Sequence, residues 1–215
     1  MSNLKCVIFD LDGTLIDSAP LICDILNSMR KDRLMTSLPL TEYRKWISLG
    51  AIDLIRNTFH EDLAESTKLL TCFRRAYRTK VTTSDLLYSG VEYAIKKLQS
   101  NGIKLAICSN KPELLCKKTL FETGLLNCFE IIIGGDSIAK PKPNPEPLKH
   151  ILDVLQVPAD LSIFVGDSTT DEKTSIAAGI PFIFFSNGYD DGVDKLKALH
   201  VIPDFFTLVD ILNNF

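Results

Sequence analysis

The sequence predicts a protein of the α/β class, built on a parallel β-sheet that helices cover. Five short apolar runs, each followed by polar or glycine residues, have the character of strands buried on both faces; they lie at 5–9, 103–108, 130–133, 162–165 and 181–185. From residue 85 onward these runs alternate with helical patterns, which is typical of parallel strands joined by right-handed crossovers. A helical stretch without a convincing strand separates the first run from the others.

The position of that helical stretch predicts the domain organisation. We expect a core domain formed by 1–16 and 81–215, with a helical domain at 17–80 inserted after the first strand. Two helical patterns of apolar residues support the insert: Leu21, Ile22, Ile25, Leu26 and Met29, and then Trp46, Leu49, Gly50, Ile52, Leu54 and Ile55.

Two helices of the core can be placed from their ends. Val91, Ile95 and Leu98 have helical spacing, and Asn101-Gly102 is expected to close that helix. Asn144 can cap a second helix that begins at Pro145. The apolar face of this second helix is expected to consist of Ile151, Leu152 and Leu155.

Composition and charge exclude several classes of protein. The 215 residues are 46% hydrophobic and 24% charged, which excludes disordered, collagen-like and fibrous chains. The net charge of −3 gives no reason to expect binding to nucleic acid or to an anionic membrane, and no obligate protein partner is evident. The six cysteines form no CxxC pair or zinc-finger spacing, and no secretory or membrane-spanning run is visible. We therefore expect buried, reduced thiols and a cytoplasmic protein.

The first candidate site is the acidic motif 10–14, Asp-Leu-Asp-Gly-Thr, which directly follows the first strand. Asp10 and Asp12 can converge once the chain leaves its extended conformation, and Gly13 allows the turn. Neither carboxylate has a lysine or arginine close by in sequence, so a cation such as Mg²⁺ is a natural partner. An acidic turn after a strand is the alternative for this motif taken alone.

Three more polar clusters follow predicted strands. Ser109-Asn110-Lys111 offers a hydroxyl and backbone amides, although Ser-Asn is also ordinary turn chemistry. Lys142 lies in a segment with four of the ten prolines, which either is a spacer or holds the lysine in one direction. Asp167 and Asp171 would share one face of a helix that starts there, and helix capping is the alternative for Asp171.

All four clusters are expected at the carboxyl ends of strands in one sheet. Ligands of open α/β sheets bind at that edge, near the point where the strand order reverses. We therefore expect the four clusters to form a single site, because their joint occurrence by chance is improbable.

The four clusters, in this order and spread along the whole chain, resemble the four motifs of the haloacid dehalogenase superfamily. The resemblance implies a Rossmann-like, doubly wound parallel sheet with an α-helical cap inserted after strand one. Within the superfamily, the surroundings of the motifs, including Gly135-Asp136-Ser137, are similar to phosphoglycolate phosphatases and their relatives. An acid at Asp12 favours phosphoryl transfer over carbon–halogen cleavage.

The resemblance also implies roles for individual residues of a phosphoric monoester hydrolase. Asp10 would attack phosphorus and form an aspartyl-phosphate, and Asp12 would act first as general acid and then as general base. Lys142 would offset the charge on Asp10 and the phosphate. Mg²⁺ would be held by Asp10, the carbonyl group of Asp12, Asp167 and Asp171, the last directly or through water. Substrate binding would fall to Gly13, Thr14, Ser109, Asn110 and Lys111.

The charge distribution adds an expectation about the substrate. The stretch 17–80 contains all seven arginines and carries a net charge of +3, whereas the remainder carries −6. A basic cap over an acidic core suits a small phosphorylated metabolite with a second anionic group, and phosphoglycolate is the first candidate. Most of these arginines are expected on solvated helix faces, and Arg33, Arg44 and Arg56 are the candidates for substrate contact.

Two other functions remain open from the sequence. A phosphomutase resembling β-phosphoglucomutase would share Asp10 and Asp12, and only its products would differ. A non-catalytic module that binds a phosphometabolite could use the same fold, but here every catalytic position is filled.

Overall fold

The structure is a computed structural model, and it describes residues 4–47 and 50–213. Two compact units are present: a core unit, formed by the chain up to Asp17 and from Thr83 onward, and a helical unit, Ser18–Thr82. In chain order the elements are β1 (Cys6–Phe9), α1 (Ala19–Asp32), α2 (Leu40–Ile47), α3 (Ala51–Phe59), α4 (Leu63–Thr79), α5 (Val91–Ser100), β2 (Lys104–Cys108), α6 (Glu113–Glu122), β3 (Ile131–Ile133), α7 (Glu146–Leu155), β4 (Ser162–Gly166), α8 (Thr169–Ala178), β5 (Phe182–Phe185), β6 (His200–Ile202) and α9 (Phe205–Asn213).

The core unit is a six-stranded parallel sheet in the order β3-β2-β1-β4-β5-β6. The order reverses at β1, which pairs with β2 on one side and with β4 on the other. This arrangement is the doubly wound α/β fold, and it confirms the predicted fold class. The carboxyl end of β1 therefore lies at the switch point of the sheet.

Alternate residues of each strand supply two hydrophobic layers. Val7 and Phe9 of β1 pack on one face with apolar residues of α5, α6 and α9. Cys6 and Ile8 pack on the opposite face with apolar residues of α7. Because both faces are covered, the strands read as nearly continuous apolar runs, which explains why they could be found in the sequence.

The helical unit consists of α1 to α4. Arg30 is buried in it and donates hydrogen bonds from Nε to the carbonyl oxygen of Thr36 (2.7 Å) and from Nη1 to that of Thr58. Asn27 accepts hydrogen bonds from the Tyr43 hydroxyl (2.7 Å) and the Leu38 N–H (2.9 Å). Polar side chains thus fix the loop between α1 and α2 from inside the unit.

Five of the six strands were predicted. Apart from the sixth strand, three details of the sequence prediction were wrong. The pattern 46–55 is not one helix, because Gly50 (φ 101°) precedes a new helix at Ala51; Leu49 of that pattern lies outside the described residues. The α7 helix begins at Glu146, although Asn144 Oδ1 does accept from the Glu146 N–H (2.9 Å). Cys72 is exposed and Cys23 and Cys128 are only partly buried, whereas buried thiols were expected. The short edge strand β6 was missed, because it is only three residues long.

Within the described part of the chain, no helix combines the length and the apolar character needed to cross a membrane.

Candidate active site

The candidate site lies where β1, β2 and β4 end. The acidic motif follows β1, Ser109 follows β2, and Asp167 follows β4. Since these three strands are neighbours and parallel, the segments leave the sheet at the same edge. Strand order therefore brings three of the four sequence motifs together, and the loop between β3 and α7 adds Lys142.

Three buried carboxylates form the centre of this site. One oxygen each of Asp10, Asp167 and Asp171 lies within 4.8 Å of the other two. Their side chains have almost no contact with solvent, and Asp171 is fully buried. Isolated charges of this kind are expensive to bury, so such a cluster requires compensating positive charge.

Lys142 supplies part of that charge. Its Nζ lies 2.8 Å from Asp10 Oδ1 and 2.6 Å from Asp171 Oδ1, and its side chain is 3% exposed. Burial alone would lower the pKa of Lys142, but the carboxylates of Asp10 and Asp171 raise it above its usual value. The lysine is therefore a fixed cation between two acids.

Besides Lys142, the carboxylate oxygens of Asp10, Asp167 and Asp171 could hold a small divalent cation. The pKa of Asp10 is raised to about 6 and that of Asp167 well above its usual range; burial is the main cause for both, and the negative charge of Asp171 contributes to both. Lys142, 2.8 Å away, is the cation beside Asp10 Oδ1, whereas Asp167 has no lysine or arginine among its hydrogen-bond partners Thr14 and Tyr189. Three carboxylates and one ammonium group leave two negative charges, and oxygen ligands are those that Mg²⁺ prefers.

Asp171 is held by the start of α8 as well as by Lys142. Ser168 is the N-cap of this helix, its hydroxyl accepts a long hydrogen bond from the Asp171 N–H (3.3 Å), and Asp171 Oδ2 accepts from the Ser168 N–H (3.1 Å). This reciprocal pair is a capping box. Asp171 therefore occupies both of the positions that the sequence offered: it caps the helix, and it lies in the acidic cluster. Asp167 precedes the helix, so the two carboxylates do not meet as neighbours on a helix face.

Two hydrogen bonds and two closely packed glycines orient the side chain of Asp167. Its Oδ1 accepts from the Thr14 hydroxyl (2.8 Å) and its Oδ2 from the Tyr189 N–H (2.7 Å). A Cβ atom at Gly13 or at Gly188 would overlap the Asp167 side chain. Only glycine fits at both positions, and Gly13 also has a positive φ of 88°.

Asp12 points toward a different partner from Asp10. Lys111 Nζ lies 2.8 Å from Asp12 Oδ1 and 3.1 Å from Oδ2, so it contacts both carboxylate oxygens. The lysine side chain is 6% exposed and that of Asp12 is 18% exposed. This ion pair joins two sequence motifs that lie about 100 residues apart, at the rim rather than in the centre of the acidic cluster.

Ser109 and Asn110 complete the second motif. The Ser109 N–H donates to the carbonyl oxygen of Ile133 (2.9 Å), and its buried hydroxyl lies at the end of β2. Asn110 Nδ2 donates to the carbonyl oxygen of Lys142 (3.0 Å), which connects the second and third motifs. Among the described residues, none donates to the buried Oδ1 of Asn110.

The structure thus brings the predicted residues into two connected groups: Asp10, Thr14, Lys142, Asp167 and Asp171, and then Asp12, Ser109, Asn110 and Lys111, with Gly13 in the turn directly after Asp12. Gly188 and Tyr189 were missed. They follow an apolar strand run, as the other clusters do, and the same strand-end rule could have found them.

A doubly wound sheet with buried acids and a lysine at its switch point belongs to the class of α/β proteins that bind their ligands at that edge of the sheet. Comparison with known proteins then identifies the family. The model of the haloacid dehalogenase-like hydrolases matches residues 7–185. The chain belongs to this family.

Similar proteins agree with this assignment over nearly the whole chain. A phosphoglycolate phosphatase of Rhodospirillum rubrum is 36% identical over 97% of this chain and 90% of its own length. One from Cupriavidus necator is 36% identical over 92% of this chain and 93% of its own length. A crystal structure from Haemophilus somnus, described as a predicted phosphoglycolate phosphatase, superimposes with a TM-score of 0.88 at 25% identity, covering 98% of this chain and 99% of that one. The prediction of a phosphatase is confirmed at the level of enzyme class.

Proposed function

We propose that the protein is a Mg²⁺-dependent phosphomonoesterase that hydrolyses a small phosphorylated metabolite through an aspartyl-phosphate. The observation that carries this proposal is the buried cluster of Asp10, Asp167 and Asp171 beside Lys142 at the switch point of the sheet. Phosphoglycolate is the first candidate substrate, because the similar proteins from R. rubrum and C. necator bear that name.

Magnesium would be held by the carboxylates of Asp10, Asp167 and Asp171 together with the main-chain carbonyl group of Asp12. When bound, the ion would neutralise charge that develops on the transferring phosphoryl group. The Thr14 hydroxyl and the Tyr189 N–H, which hold the two oxygens of Asp167, would keep that ligand in one orientation.

Asp10 is the proposed nucleophile. A carboxylate attacks phosphorus only when it is ionised, whereas burial favours its neutral form. Lys142, 2.8 Å away, favours the ionised form. The lysine would therefore keep Asp10 ready for attack and afterwards compensate the charge of the aspartyl-phosphate.

Asp12 is the proposed acid–base group. It would donate a proton to the leaving oxygen of the substrate and then accept one from the water that hydrolyses the aspartyl-phosphate. Its carboxylate is partly exposed and pairs with Lys111 instead of joining the acidic centre. Two aspartates two residues apart can therefore take different roles, because their surroundings differ.

The second motif would bind the phosphoryl group. The Ser109 hydroxyl, the Lys111 ammonium group and the backbone amide of Asn110 can donate hydrogen bonds to phosphate oxygens. The Gly13 N–H already donates to the carbonyl oxygen of Ile16 (2.8 Å), so Gly13 would contribute through the shape of the turn. Once the phosphoryl group is bound, Lys111 would pair with it instead of with Asp12, so that Asp12 can carry the proton that it donates to the leaving oxygen.

We predict from the sequence that arginines of the helical unit select the substrate, and this remains a prediction. Arg30 is not available for it, because Thr36 and Thr58 occupy its guanidinium group. Arg33 pairs with Glu65 (2.9 Å) and Arg56 lies 3.6 Å from Asp53, so a substrate anion would compete with these carboxylates. The cytoplasmic location likewise stays a prediction.

The test is release of inorganic phosphate from a panel of phosphate esters that includes 2-phosphoglycolate and hexose phosphates. We expect turnover with Mg²⁺, none with a chelator, and none for Asp10→Asn; Asp85→Asn, at an exposed position of the core unit, is the matched control. Conversion of a hexose phosphate to an isomer without phosphate release would instead support the mutase. Tight binding of phosphate without turnover of any ester would support the non-catalytic module.

A further inference from the structure

A turn that the proposed chemistry does not use lies against the second motif. It consists of Gly134, Gly135, Asp136 and Ser137, directly after β3, and the sequence singled it out without a role. We call it the 134–137 turn. None of its side chains belongs to the acidic cluster or to the Asp12–Lys111 pair.

Hydrogen bonds attach this turn to the segment that follows β2. The Gly135 N–H donates to the carbonyl oxygen of Lys111 (2.9 Å), and Asp136 Oδ1 accepts from the Glu113 N–H (2.8 Å). The Ser137 hydroxyl donates to the Glu113 carboxylate and accepts from the Gly134 N–H (2.8 Å). The turn therefore fixes both the backbone at Lys111 and the first residue of α6.

The two glycines are required by space. A Cβ atom at Gly135 would overlap the carbonyl group of Asn110, and one at Gly134 would overlap the backbone of Glu113. These neighbours are main-chain atoms, which cannot turn aside as a flexible side chain can. A methyl group in the turn must therefore push the turn and the segment 109–113 apart.

Such a displacement would reach the reacting groups directly. Ser109 and Lys111 lie in that segment, and Lys111 Nζ makes the ion pair with Asp12. The segment is also tied at Asn110 to the carbonyl oxygen of Lys142. The 134–137 turn thus holds the second motif, Ser109-Asn110-Lys111, in place from the β3 edge of the sheet.

We infer that the 134–137 turn is a positioning element of the enzyme: it aims the Ser109 hydroxyl at the phosphoryl group and the Lys111 ammonium group at Asp12. The inference rests on the proposed function. Its residues touch neither substrate nor metal. They act through the geometry of 109–113.

The test compares Gly135→Ala and Asp136→Ala with Asp136→Asn, which keeps an oxygen acceptor for the Glu113 N–H. We expect kcat/KM with Mg²⁺ to fall about 100-fold in Gly135→Ala, as misplacement by about 1 Å can cause. Asp136→Ala should lose roughly tenfold, and Asp136→Asn should stay within about threefold of the parent protein. Calorimetric titration with inorganic phosphate should show weakened binding in the two alanine variants, and titration with Mg²⁺ alone should show unchanged affinity.

Asp204→Ala is the matched control, because Asp204 accepts from the Thr207 N–H (2.8 Å) at the start of α9 as Asp136 does at α6. It should lower the thermal unfolding midpoint and leave kinetics and phosphate binding unchanged. Asp136→Ala kinetics equal to those of Asp204→Ala would overturn the inference, as would a parent-like Gly135→Ala. If Gly135→Ala does not fold, the comparison of Asp136→Ala with Asp136→Asn decides whether the inference stands. A parent protein that neither turns over esters nor binds phosphate would overturn the proposed function itself.

Discussion

The ion pairs of the candidate site in the core unit are buried, whereas two ion pairs of the helical unit are exposed. In the core unit, Lys142 and its partners Asp10 and Asp171 are buried. In the helical unit, Arg33–Glu65 and Lys45–Glu42 lie at the surface. Surface pairs contribute roughly 0–1 kcal/mol to stability, whereas buried charges are costly to dehydrate. The buried charges of the core unit are therefore costly for stability, which supports the functional role that we propose for them.

Arg30 shows that burial alone does not indicate a functional charge. It is the buried arginine of the helical unit, and its partners are the main-chain carbonyl oxygens of Thr36 and Thr58. No acid competes for it within these contacts, so it serves as a structural tie. The carboxylates around Lys142 instead outnumber it, and this uncompensated negative charge distinguishes the candidate active site from the surroundings of Arg30.

The largest expected effect is that of Asp10→Asn. Loss of the nucleophile should reduce phosphate release at least about 1,000-fold. The same change should raise the thermal unfolding midpoint of the chelated protein at pH 7.5, because it removes a buried charge whose pKa burial has raised to about 6. Activity assays and thermal unfolding of one preparation measure both effects. A variant that loses activity and also stability would contradict the proposed conflict between function and stability at this site.

The next effect sharpens the contrast between buried and surface pairs. Lys142→Met should lower the free energy of unfolding of the chelated protein by about 3–5 kcal/mol, because it leaves buried carboxylates without their cation. Lys45→Met, whose lysine pairs with Glu42 at the surface, should change it by less than about 1 kcal/mol. Denaturant unfolding measures both variants. Equal losses would show that the two pairs do not differ as their burial indicates.

The pH dependence of Mg²⁺ binding is the smallest of these effects. A carboxyl group binds the ion only when ionised, so protons compete below the pKa of Asp10, about 6. The apparent dissociation constant should be about fourfold higher at pH 5.5 than at pH 7.5 from Asp10 alone, and Asp167 adds to this. Calorimetry at the two pH values checks it, and affinity that does not weaken at pH 5.5 would contradict this account.

Stability of the chelated protein should respond to pH with the opposite sign. The folded protein binds more protons than the unfolded chain between the ordinary Asp10 pKa of 3.8 and its raised value. The stability contributed by this group is therefore lost as the pH rises through about 6. Asp10→Asn is the control, because it lacks the titrating group and should show a smaller pH slope.

The sequence predicted what local patterns determine. Buried parallel strands are apolar, so β1 to β5 were found, and the strand-end rule placed Asp10, Ser109 and Asp167 at one edge. Partners across the fold could not be predicted. The pairing of Lys111 with Asp12 depends on how two loops leave adjacent strands. The role of Gly135 depends on main-chain atoms more than 20 residues away. Local spacing contains no information about either contact.

The most direct test of the central claim is to trap the phosphoryl group on Asp10. The protein is mixed with Mg²⁺ and 2-phosphoglycolate labelled in its phosphate, quenched in acid within one turnover, and digested for mass spectrometry. Asp12→Asn is run in parallel, because loss of the base should slow hydrolysis of the aspartyl-phosphate and increase the trapped fraction. We expect one phosphoryl group on the peptide that contains Asp10, and none with chelator or in Asp10→Asn. Steady hydrolysis with no phosphoryl group on that peptide, in the parent protein and in Asp12→Asn alike, would contradict the account.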